Sequence, residues 1–179
     1  MSDHPLPIHN IKIKLLKSLL AVVENSVKGG NNYLFRNLYA EENGKEIDIL
    51  ENGRNACAVL VSWILYLFNP TLEFLKKPRW IQFTHATVYS TEKDMVANGW
   101  YEIKDLRPGA VIIWEKKMGD NGLLGKKDVE FMHMGFCVSA TEAISNSSKG
   151  TGFPWKHHIT YNGTRKIEKI YWHPELDNG

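Results

Sequence analysis

The sequence predicts an α+β domain: helices come first, then a run of antiparallel strands. Three observations predict it. A 13-residue apolar stretch, Ala56 to Phe68, exceeds a usual strand and reads as a buried helix. A later run of short β-branched and aromatic segments, punctuated by Pro108-Gly109 and Asn162-Gly163, reads as strands and turns. Finally, 179 residues with 43% hydrophobic and 23% charged residues suit one globular unit. A single domain over 1–179 is expected, without internal repeats or low-complexity tracts.

Taken in order, Ile11, Leu15, Leu19 and Val22 form one stripe, so an amphipathic helix is expected over 11–28, stopped by Gly29-Gly30. Lys17 interrupts its apolar run and Glu24-Asn25-Ser26 follows, which argues against a secretory signal. Tyr33-Leu34-Phe35 and Glu46 to Ile49 flank Asn43-Gly44, a hairpin signal. The Ala56–Phe68 helix is expected to be central and buried, capped by Asn55 or Asn52 and ended by Asn69-Pro70. It is short for a bilayer span, so no membrane span is expected. Ser90 to Asn98 reads as a short helix with Ser90 or Thr91 as cap and Gly99 as stop. Strand pattern begins at Trp100. Ala110 to Trp114 is a strand after the Pro-Gly turn, 115–129 a Lys- and Gly-rich loop, Phe131 to Val138 the next strand, and Ala143 to Ser147 its partner. A hairpin over 156–172 is expected to close the chain.

A net charge of +2 gives no electrostatic case for nucleic acid or a membrane surface. Two cysteines, Cys57 and Cys137, make no disulfide framework, and reduced thiols in a cytoplasmic protein are expected. Cys57 falls in the first turn of the central helix, where free N–H groups and the helix dipole favour thiolate over thiol. His133 shares a strand face with Phe131, Gly135 and Cys137. With a four-residue loop over 139–142, Gly135 opposes Asn146, which makes Asn146 a diagonal neighbour able to fix the imidazole tautomer. A one-residue slip would turn Asn146 away. Asn55, Trp114 and His157 are further candidates for substrate contact. Asn37, Asn52 and Asn55 are candidates for a side-chain oxyanion donor. His85 has no identifiable partner. A zinc site from Cys57, Cys137 and His133 lacks any short-spaced ligand pair, so no metal or other cofactor is expected.

Asn55-Ala56-Cys57-Ala58, Pro108-Gly109-Ala110 to Trp114, His133-Met134-Gly135-Phe136 and Ile144-Ser145-Asn146, in that order, resemble the papain-like cell-wall peptidases and amidases of NlpC and CHAP type. The resemblance spans roughly 52–148. It implies a papain-like fold with a central buried helix packed on an antiparallel β-sheet. It also implies a bacterial thiol hydrolase with Cys57, His133 and Asn146 as its catalytic set, acting on an amide or peptide bond, with peptidoglycan-like peptides as the substrate class. The chain departs from that pattern at Ala56, where those enzymes carry Asp, and at Ala58-Val59, where they carry Ser-Gly. Such flanks also suit a binding module on the same fold, or a deamidase or acyltransferase using the same dyad. Oligomeric state is open.

Overall fold

The computed structural model describes residues 12–121, 126–148 and 150–177. Helix α1 is Leu15–Asn25, with Leu15, Leu19 and Val23 buried. That stripe is the expected one, moved by a residue at its end; Ile11 lies outside the described residues. A 3-10 helix, Gly29–Phe35, occupies the segment expected to be the first hairpin strand. The hairpin itself is β1 (Tyr39–Glu42) with β2 (Lys45–Asp48). Its turn is Asn43-Gly44, with φ of 53° and 76°, the left-handed pair that Asn-Gly favours. Register followed the turn residues rather than the aromatic cluster.

Helix α2 is Cys57–Leu67, with seven of its eleven residues buried. It is apolar all round because it packs against β5 and β6 on one side and α1, α3 and α4 on others. No side chain caps its start; the flanking residue is Ala56, not Asn55 or Asn52. Asn69-Pro70 does not end helical structure but opens α3 (Asn69–Phe74), since proline is tolerated in a first turn. Together Cys57–Phe74 is long and apolar enough, by length and composition, to cross a membrane, with a mean hydropathy of 1.4. Most of its buried apolar side chains nonetheless belong to the core cluster with the strands, Val59 packing instead with Leu50 and Ala56. Helix α4 is Val88–Ala97, capped by Thr87, whose side chain accepts from the Ser90 N–H.

Strands β3 (Tyr101–Ile103), β4 (Val111–Asn121), β5 (Lys126–Cys137), β6 (Glu142–Asn146), β7 (Pro154–His158) and β8 (Ile167–Trp172) build one six-stranded sheet. Their spatial order is β3-β8-β4-β5-β6-β7, and every pair is antiparallel. This is an α+β protein with its central helix on the sheet. Two expectations are corrected. The loop over 115–129 is largely a continuation of the β4–β5 ribbon, with register shifts between Trp114 and Lys117. Residues 122–125 lie outside the described residues. The C-terminal hairpin over 156–172 does not exist: β7 pairs with β6, whereas β8 crosses to pair with β4 and β3. Asn162-Gly163 does turn the chain, with φ of 56° and 81°. The strands it separates simply go to distant places in the sheet.

Candidate functional site

Cys57 is the first residue of α2 and is half-buried. The expected lowering of its thiol pKa is not what the surroundings produce. Burial pushes the thiol up, and the backbone N–H groups of Met134 and Ala58 and the charge of Arg165 only partly offset it. The Met134 amide that reaches the sulfur is one peptide bond from His133. Among the described residues, Cys57 is not near any histidine ring, so the structure does not bring the expected pair together.

The register explains where the other residues go. Gly135 pairs with Ser145, Phe136 with Ile144 and Cys137 with Ala143. The turn after β5 is therefore one residue shorter than expected: Val138 and Ser139 donate to the Glu142 carbonyl, and the Ser139 hydroxyl accepts from the Thr141 and Glu142 N–H groups. Shifting by one residue puts Ser145, not Asn146, on the His133 face. Gly135 makes the close approach possible. A Cβ there would run into the Ile144 carbonyl oxygen and the Ser145 Cβ.

Asn146 faces the other way. Its Nδ2 donates to the carbonyls of Gly53 and Gly152, both at 2.8 Å. Two carbonyl partners fix the amide's orientation. Its buried Oδ1 has no partner among the described residues. The expected orienting bond from the Asn146 side chain to His133 is thus replaced by a tie between the loop entering α2 and the loop leaving β6, while the Asn146 backbone carbonyl acts on the His133 ring. Backbones there touch so closely that a Cβ at Gly53 would strike the Gly152 carbonyl.

The His133 side is a buried polar cluster centred on the Ser145 hydroxyl. That oxygen lies 2.9 Å from His133 Nε2, 2.8 Å from His157 Nε2 and 2.8 Å from the Tyr161 hydroxyl. The hydroxyl has one proton and two lone pairs, so the directions can be worked out. His157 Nδ1 lies 2.9 Å from the His158 carbonyl and must donate to it. Burial holds the His157 pKa down, so the ring is neutral near pH 7 and its Nε2 is an acceptor. Ser145 therefore donates to His157. Its oxygen then accepts from the Tyr161 O–H and from His133 Nε2–H. Burial, helped by the charges of Arg165 and His157, takes the His133 pKa down to about 3. With Nε2 as the donor to Ser145, a neutral His133 leaves Nδ1 unprotonated; the backbone carbonyl of Asn146 also acts on the ring and works against the burial. Burial likewise pushes Tyr161 up to about 12, keeping it a donor.

Beside this cluster lies a cleft of about 230 Å³ that Tyr161, Trp155, Asn146, Lys117 and Arg165 help to line. Arg165 donates from Nε and Nη2 to the Glu115 carbonyl and from Nη2 to the Phe131 carbonyl. It is anchored where the β4–β5 register shifts.

The remaining candidates take structural positions. Trp114 is fully buried and donates to the Ile159 carbonyl at 2.7 Å, which removes it from substrate contact. Asn37 Nδ2 donates to Asp48 and to Asn52 Oδ1, which commits the Asn37 amide; Asn52 takes part only as an acceptor there. Asn55 is half-buried and its backbone N–H closes a turn onto Leu50. His85 does have a partner: its Nε2 is 2.6 Å from Asp94 Oδ2. Asp94 also accepts from the Gln82 and Phe83 N–H groups and from Asn98, so it braces the segment before α4. Cys137 is a free, buried thiol, pushed up to about 11 by burial. Sequence reasoning missed Ser145, Tyr161 and Arg165. Ser145 was one register step from the expected position; Tyr161 and Arg165 sit on the long β7–β8 connection, where no periodicity points to a site.

Compared with protein-family models, curated proteins and solved structures, the chain matches none.

Proposed function

We propose that this chain is a thiol-dependent hydrolase of papain-like architecture, cleaving an amide or peptide bond with Cys57 as nucleophile and His133 as base. The observation that carries the reading is the proton inventory at Ser145. Burial holds His133 neutral, and with Nε2–H on Ser145 its Nδ1 is unprotonated, the state a base needs before it can take a thiol proton. Ser145 fills the orienting role first expected of Asn146. Cys57 starts the central helix, and its sulfur reaches the amide next to His133. In the reaction, the sulfur attacks the acyl carbon as its proton passes to His133 Nδ1. That proton then goes to the leaving amine, and water hydrolyses the thioester. The Cys57 backbone N–H and the adjacent first-turn amides are the donors for the oxyanion.

A second reading, a binding module on the same fold, is favoured by two observations: no bond joins Cys57 to His133, and burial keeps the thiol protonated at rest. Alkylation separates the two. With iodoacetamide at pH 7 and peptide mass readout, the hydrolase reading expects Cys57 to react at least tenfold faster in the parent protein than in His133→Gln. Cys137 serves as the unreactive internal control. Equal rates in the two proteins favour the binding module.

A further inference from the structure

The cleft beside Ser145 is cationic and aromatic, and among the described residues no acidic side chain lines it. Lys117 and Arg165 supply two positive charges. Lys117 Nζ donates to the Thr164 carbonyl. The Arg165 guanidinium is held by three bonds to two backbone carbonyls, all from Nε and Nη2. Its Nη1 has no partner among the described residues, and no carboxylate there lies within ion-pair distance of it. Glu115 is near enough to influence the charge, but its Oε1 accepts from the Lys166 N–H instead. A guanidinium pinned by neutral carbonyls and left without a counter-ion favours a planar anion over a neutral group. Trp155, 41% exposed, and Tyr161 wall the same space and suit an organic body attached to that anion.

We infer that this cleft binds a peptide end or side chain bearing a carboxylate, with Arg165 as its anchor and Lys117 as a second contact. The volume, about 230 Å³, suits one or two residues. The inference rests on the hydrolase reading only in naming that ligand a substrate; the binding itself needs no turnover.

The test uses the full chain carrying Cys57→Ser and three probes: N-acetyl-Ala-Ala with a free carboxylate, the same dipeptide as its terminal amide, and inorganic phosphate. Affinities are read by NMR titration, following the indole N–H of Trp155. The expected result is at least tenfold tighter binding of the acid than of the amide or phosphate, with the advantage lost in Arg165→Met. Should Arg165→Met fail to fold, Lys117→Gln carries the same test, with at least a threefold loss for the acid and none for the amide. Equal binding of acid and amide, binding of neither, phosphate matching the acid, or indifference to these substitutions would overturn it. His133-independent alkylation of Cys57 would sink the hydrolase and leave a measured carboxylate preference standing. Loss of that preference with His133-dependent alkylation would sink only the present inference.

Discussion

Ser145 carries more of the site than any other single residue. One hydroxyl satisfies two imidazoles and a phenol in a buried setting, where each unsatisfied polar group costs about 1–3 kcal/mol. Ser145→Ala deletes the hydroxyl that accepts from His133 Nε2–H and frees that ring to turn its proton to the Asn146 carbonyl. Its expected effect is a fall of about 10-fold or more in Cys57 alkylation at pH 7, within the range general-base effects span. Ser145→Thr keeps the hydroxyl and restores the rate. Rescue by Thr without rescue by Cys or Gly in the same assay distinguishes orientation of the base from simple packing. The settings of two residues of the proposed set were legible in the sequence: a cysteine opening an apolar helix and a histidine on a Gly-containing strand. The side chain that meets His133 across the sheet was not. It turned on whether the β5–β6 turn held three or four residues, and the Ser139 hydroxyl that closes the shorter turn is an ordinary turn residue with no distinctive spacing.

At the scale of elements, α2 was legible because thirteen nearly unbroken apolar residues exceed a strand and bury most of their side chains, Tyr66 and Leu67 being the exposed ones. Its caps were not, because nothing in Asn52 or Asn55 shows whether an amide will serve α2 or the neighbouring loop. The structure spends Asn52 on the Asp48 hub, where the carboxylate accepts from Asn37 Nδ2 and from the N–H groups of Leu38, Leu50 and Asn52. Burial alone would raise the Asp48 pKa, and those donors instead hold it below the usual value. The entry to α2 is positioned by Asn146, which joins Gly53 to Gly152 across a backbone contact. Asn146→Ala removes two buried bonds and leaves two carbonyls unpaired, an expected cost of about 2–4 kcal/mol, measurable as a shift in the urea midpoint at unchanged slope. Loss below about 0.5 kcal/mol would show that the tie does not hold the loop. The β7–β8 crossover escaped prediction for a different reason. Asn-Gly reports a turn, but pairing depends on which strands already occupy the neighbouring edges, and β8 finds its place between β3 and β4.

Over the whole molecule, the sheet and its flank bury histidines whose charged forms the fold disfavours: His133 on β5, His157 on the edge strand β7 and His173 just past β8. His133, His157 and His173 all have depressed pKa values, with burial the first cause in each. The sign follows directly. Below the ordinary value of 6.5, the unfolded chain takes up protons at these rings before the native protein does. Stability is fully present above that value and is lost as pH falls from 6.5 toward the native value of about 3 for His133. Each such ring contributes a slope of up to ~1.4 kcal/mol per pH unit within its window. Urea titrations from pH 7 to pH 4 are expected to show falling stability, with a shallower slope in His133→Gln. A flat profile would mean that these rings already titrate near their ordinary value in the folded state. The same burial that makes the cluster acid-sensitive keeps His133 deprotonated near neutral pH, so one physical cause underlies both stability and the proposed chemistry.

The account stands or falls on the protonation of one imidazole. Long-range proton–nitrogen NMR on uniformly ¹⁵N-labelled protein at pH 7 reads it directly. The predicted spectrum assigns His133 as neutral, with its proton on Nε2 and a bare Nδ1. A proton on Nδ1, or on both nitrogens, would contradict the Ser145 inventory and remove the base from the proposed hydrolase.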